Sequence, residues 1–79
     1  MNTRVGKYLG QAIATARQKA GLTQEELAAK IKIAPRTYQA YEAGDVLPRY
    51  ITLFKIAKAT GVSAPQLLAP MWDDWSKKE

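Results

Sequence analysis

Apolar residues recur at helical spacing along most of this chain, and strand-like alternation is absent. Val5, Leu9, Ala12, Ile13, Ala16 and Ala20 fall on one face of a first helix, expected from about Thr3 or Arg4 to Ala20. Gly21 is placed to stop it. Gly6 and Gly10 weaken that helix, at roughly 1 kcal/mol each against Ala, so its first residues are expected to fray into an arm. Thr23-Gln24-Glu25-Glu26 fits a capping box and opens a second helix that buries Leu27, Ala28 and Ile31. Lys32-Ile33-Ala34 reads as a turn in which buried Ile33 ties the neighbouring helices together. Pro35 suits the first position of a third helix, which ends at Ala43 with Gly44 beyond it. Its apolar positions are Tyr38 and Tyr41; Arg36, Thr37 and Gln39 are polar. After a loop at Asp45-Val46-Leu47-Pro48, a fourth helix is expected from about Arg49 to Thr60, burying Leu53, Phe54, Ile56, Ala57 and part of Ile51. Ser63-Ala64-Pro65-Gln66 is a second capping box and opens a short fifth helix through Leu67 and Leu68, closed by Ala69-Pro70. The remainder, MWDDWSKKE, shows no clear period.

Composition narrows the chemistry. At 79 residues the chain is one small domain. It has neither cysteine nor histidine, which excludes disulfides, thiolate metal sites and any nucleophile–histidine pair. No catalytic residue, metal site or cofactor is assigned, and an enzyme is not expected. Lys and Arg outnumber Asp and Glu by 12 to 7, a net charge of +5 that favours polyanionic partners. No apolar run reaches membrane-spanning length, and the start MNTRVGKYLG lacks the apolar core of a signal peptide. The chain is therefore expected to be cytoplasmic.

Two short helices joined by a tight turn, the second beginning at a proline and displaying Arg36, Thr37 and Gln39, suit presentation of one helix to the major groove of DNA. In order, the landmarks are Leu9-Gly10, Arg17, Gly21 to Ala28, Tyr41-Glu42-Ala43-Gly44, Pro48, and Leu53 to Ser63. Together they resemble the phage-repressor and Cro-like (XRE-type) helix-turn-helix family over about Leu9 to Leu68. The resemblance implies an all-α, compact five-helix lambda-repressor-like fold, with residues 1–70 as the DNA-binding domain and 71–79 as a tail. It implies that the third helix reads bases through Pro35, Arg36, Gln39 and Ala40, and that Gln24, Thr37 and Arg49 meet the DNA backbone. Arg36 is the best candidate for a bidentate contact to guanine. Alone, Arg36 or Gln39 would read as a solvated helix face; their place in the motif favours DNA. Arg17 and Glu42 match a partly buried ion pair, and Ala28 a small residue at the helix crossing. Lys32 departs from the family by standing where a turn glycine is usual. Pro35, Ala40 and Ala43 cannot make side-chain hydrogen bonds, so direct readout rests on Arg36 and Gln39, and DNA shape is left to carry more of the specificity. Tyr38 and Tyr41 replace aliphatic residues and read as core or half-buried, with a hydroxyl in reach of phosphate.

Trp72 and Trp75 lie three apart and either pack back near Leu67 and Leu68 or form a dimer contact. The acidic Asp73-Asp74 keeps the tail off DNA, and the tail does not resemble an inter-domain linker, which favours a whole small regulator. The expected activity is that of a sequence-specific transcriptional repressor. It would bind double-stranded DNA at a pseudo-palindromic operator as a homodimer, with no membrane partner. The other reading is an antitoxin-like or adaptor module that binds protein.

Overall fold

The computed structural model describes residues 4–78, and every regular element among them is helical. The helices are α1 (Arg4–Lys19), α2 (Gln24–Lys30), α3 (Pro35–Ala43), α4 (Tyr50–Thr60) and α5 (Ala64–Lys78). Thr3, the alternative start of the first helix, lies outside the described residues; from Arg4 onward α1 is helical with Gly6 buried, so the fraying expected of its first residues does not extend to Arg4–Gly10.

The punctuation read from the sequence operates as local physics requires. The Thr23 hydroxyl accepts from the Glu26 amide at 3.0 Å, and the Thr23 amide donates to the Glu26 carboxylate at 2.8 Å. Ser63 and Gln66 repeat this exchange at the start of α5. Each exchange satisfies amides that a helix start leaves unpaired. Pro35 opens α3, and Gly44 ends it in the left-handed region at φ 81°. Lys32 takes φ 61° in the α2–α3 turn, the only positive φ at a described residue other than glycine. A side chain is strained there, at a cost of about 1–2 kcal/mol.

The core joins all five helices. Leu9, Ile13 and Ala16 of α1 meet Leu27 and Ala28 of α2, Tyr38 and Tyr41 of α3, Leu53, Ile56 and Ala57 of α4, and Leu67 of α5. Ile31 completes it, and Ile33 packs partly buried against it. α1 is the central element: α5 packs on one side of it and α3 on another. Gly10 is a condition of that arrangement. A β-carbon there would lie 2.7 Å from the Tyr41 carbonyl oxygen and closer still to that of Glu42. The expected weakness of α1 at Gly10 is thus exchanged for close approach to the end of α3.

Two expectations are overturned. Phe54 is not buried but stands about half exposed, as does Ile51, for which only partial burial was expected, because α4 turns Leu53, Ile56 and Ala57 inward instead. The fifth helix does not close at Ala69-Pro70 but continues to Lys78 with Pro70 inside it. An interior proline removes one helical hydrogen bond and crowds the preceding turn, which normally costs about 3 kcal/mol. Here the far segment has compensating contacts. Met71 packs against the core, and Arg4 of α1 meets Asp74 at 3.1 Å. Trp72 and Trp75 stack on each other at 5.4 Å beside Val5, Leu68 and Met71, yet both stay largely exposed.

Candidate nucleic-acid interface

The nine residues of α3 divide between two faces. Tyr38 and Tyr41 point inward, with rings edge to face at 6.5 Å. Glu42 completes the inner side by gathering polar groups from three helices. Arg17 Nε donates to its carboxylate at 2.6 Å and Arg17 Nη2 at 3.2 Å, while Arg17 Nη1 holds the Leu22 carbonyl at 3.0 Å. The Gln24 amide donates to Glu42 at 2.9 Å, and the Tyr38 hydroxyl donates to it as well. Arg17 is thus tied to both α3 and the segment before α2, which fixes how the motif sits on α1.

The electrostatics follow from this geometry. Burial alone would raise the Glu42 carboxyl, but hydrogen bonds from Arg17, Tyr38 and Gln24 outweigh it and hold the group below the usual carboxylate range. Arg17 is raised, first by its hydrogen bond to Glu42. The Tyr38 phenol is pushed well above its ordinary range, first by burial and then by the carboxylate it donates to. Its hydroxyl is committed to Glu42 within the fold, which corrects the expectation of a Tyr38 hydroxyl in reach of phosphate.

The other face of α3 is open. Pro35, Arg36, Thr37 and Gln39 are exposed, and Ala40 is half-buried. Arg36, Thr37 and Gln39 make no side-chain hydrogen bond or ion pair with described residues. Arg49, the N-cap of α4, is also exposed. Gln24 is placed differently: it is half-buried at the start of α2, with its amide nitrogen held by Glu42. Pinning this residue beside the end of α3 is a role that sequence reasoning missed, since nothing local pairs positions 24 and 42. Sequence reasoning also missed a second basic surface. Lys30 and Lys32, at the end of α2 and in the turn, line a groove with Lys55 and Lys58 of α4. No described carboxylate neutralises these four side chains. Among the described residues no helix is long and apolar enough to cross a membrane.

Comparison with known proteins agrees with this architecture. The helix-turn-helix family profile matches residues 13–67. The chain is 38% identical over 64 residues to the uncharacterized HTH-type transcriptional regulator y4dJ of Sinorhizobium fredii, covering 81% of this chain and 83% of the relative. It is 42% identical over 59 residues to Multiprotein-bridging factor 1 of Candida albicans, covering 75% of this chain but 39% of that protein. This chain thus spans about two-fifths of the fungal relative's length. Among solved structures, the clp gene regulator ClgR of Corynebacterium glutamicum shares the fold, with TM-score 0.83 at 22% identity over 99% of this chain and 83% of that one. The hypothetical transcription factor NHTF from Neisseria gives TM-score 0.78 at 27% identity, over 92% and 84% of the two chains. With five helices in this order, a capped α2, a proline-led α3 and a family match from the middle of α1 to the start of α5, the chain belongs to the XRE-type helix-turn-helix family of DNA-binding regulators.

Proposed function

We propose that this chain is a cytoplasmic, sequence-specific repressor of Cro-like type that lays α3 in the major groove and works as a dimer on a pseudo-palindromic operator. One observation carries the reading. The outer face of α3 is exposed and free of internal partners, while the inner face is locked by Glu42 and two buried tyrosines. A rigid helix with unspent donors on one side is what base readout needs. Arg36 and Gln39 would contact base edges, with Pro35 and Ala40 giving apolar contact to thymine methyls. Thr37 and Arg49 would hold phosphates. Gln24 would do so through the free backbone amides at the start of α2, since its side-chain nitrogen is engaged. Repression would follow from occupancy, because a domain seated on its site excludes other proteins from it.

A random DNA library tests this directly. The expected outcome is one enriched site with two-fold symmetry. Salt dependence should follow counterion release: a dimer making about eight phosphate contacts gives a log–log slope near −7. Absence of binding at low salt would overturn the reading. A second reading, a module that bridges proteins, draws on the likeness to Multiprotein-bridging factor 1. It would prevail if the chain bound a protein partner with no selected DNA site.

A further inference from the structure

Four like charges share one surface groove. Lys30 at the end of α2, Lys32 in the turn, and Lys55 and Lys58 of α4 line it, with Ile31 and Ala59 between them. The lysines are exposed, Ile31 is buried and Ala59 half-buried. The ammoniums therefore form the rim, and aliphatic groups with the lysine stems form the bed. No carboxylate lines the groove, and neither does any residue of α3. Four of the chain's 12 basic side chains thus sit together where they repel one another. Lys32 is held there against the preference of its own backbone. It takes φ 61°, a conformation that glycine enters without strain. Strain of this kind marks a position where the side chain has a use. What lysine supplies at this turn, and glycine does not, is one more cation on the rim.

We infer that the groove binds an acidic segment of another protein, with carboxylates on the lysine rim and an aliphatic side chain on the Ile31–Ala59 bed. Such binding needs nothing from α3 and is independent of the DNA reading above. Three features favour that occupant. The first is charge complementarity, since a cleft lined by one sign of charge concentrates the field that draws an opposite charge in. The second is shape. α2 and α4 pack against each other, and neighbouring helix axes lie about 8–10 Å apart, so a cleft between them admits one extended chain. A duplex, whose major groove alone is about 12 Å wide, meets only the rim and gains nothing from an aliphatic bed. The third is the chemistry of the rim. Its cations are all lysines, point charges on flexible stems that can each take a separate carboxylate, and no arginine fork is present to grip one phosphate from two sides. No aromatic ring or side-chain acceptor lines the groove to hold a nucleotide base.

The probe is a short fluorescein-labelled peptide of alternating glutamate and leucine, read by anisotropy beside the same peptide with glutamine for glutamate. The unmodified chain should bind the acidic peptide and not the glutamine one. Lys30→Gln, Lys32→Gln, Lys55→Gln and Lys58→Gln together should weaken binding at least about tenfold. Lys7→Gln, Lys19→Gln, Lys77→Gln and Lys78→Gln together remove the same charge outside the groove and should weaken it less than about threefold. Lys32→Gly should weaken it about two- to fivefold while raising the melting temperature, so that misfolding does not account for the loss. Four results overturn the inference. They are no binding of the acidic peptide, equal loss in the two quadruple variants, full peptide affinity in Lys32→Gly, and displacement of the peptide by an equal concentration of inorganic tripolyphosphate. If affinity for the selected DNA site falls in the groove variant as steeply as peptide affinity, the four lysines belong to the DNA interface, and the inference fails while the functional reading stands. A chain that binds the peptide but no DNA overturns the functional reading alone.

Discussion

The two faces of α3 contrast in how their polar groups are used. On the inner face Glu42 gathers the polar groups: Tyr38 donates to it, and it also accepts from Arg17 and Gln24. On the outer face Arg36, Thr37 and Gln39 have no such partner among the described residues. A partly buried carboxylate with several donors costs little only while all of them remain, whereas exposed donors are served by water until a ligand arrives. Substitutions should therefore affect folding on one face and recognition on the other.

The largest test of that division is Glu42→Ala. It strands Arg17 and unpairs Tyr38 and Gln24, and unfolding in urea should show a loss of roughly 3–5 kcal/mol. Acid should act through the same carboxylate. Its pKa is lowered in the folded state, so the stability it contributes is present above the ordinary carboxylate pKa and is lost as pH falls through the lowered value. Melting temperature against pH should show this acid limb, and Glu42→Gln should flatten it. Next comes Gly10→Ala, which drives a methyl group into the Tyr41 and Glu42 carbonyls. Helix propensity favours Ala here, yet a loss of roughly 1–3 kcal/mol in the same assay is expected because backbone cannot move aside cheaply. Lys32→Gly should go the other way, gaining about 0.5–1 kcal/mol as the relieved left-handed strain exceeds the extra freedom of the unfolded chain. The smallest effect on stability belongs to Arg36→Ala, within about 0.5 kcal/mol. In site selection it should cost about 1–3 kcal/mol of discrimination at one base pair, while Arg49→Ala should weaken all sequences alike. A large loss of stability from Arg36→Ala would break the division between the faces.

The sequence was most legible where structure is local. Thr23 with Glu26, Ser63 with Gln66, and Pro35 with Gly44 each act within a few residues, and the helix starts and stops they predict are those observed for α2 and α3. The two sides of α3 also follow from period alone, since Tyr38 and Tyr41 are three apart and point inward. Legibility failed where an outcome depends on what lies across the fold. Phe54 is as apolar as any core residue, yet it stands about half exposed on the side of α4 away from Leu53, Ile56 and Ala57. Pro70 carries a stop signal, but Met71 and the Arg4–Asp74 pair hold the helix beyond it. Gln24 is a good residue for holding phosphate, and only its distance from Glu42 shows that its amide nitrogen is already taken.

Separating the two faces of α3 has a consequence for redesign. Positions 36, 37, 39 and 43 are exposed and can be varied together in a library, because no described core contact constrains them. Positions 24, 38, 41 and 42 form the chassis and must be kept. On the proposed reading, a chain built this way would acquire a new DNA address by rewriting a handful of surface letters, with little tax on its melting temperature.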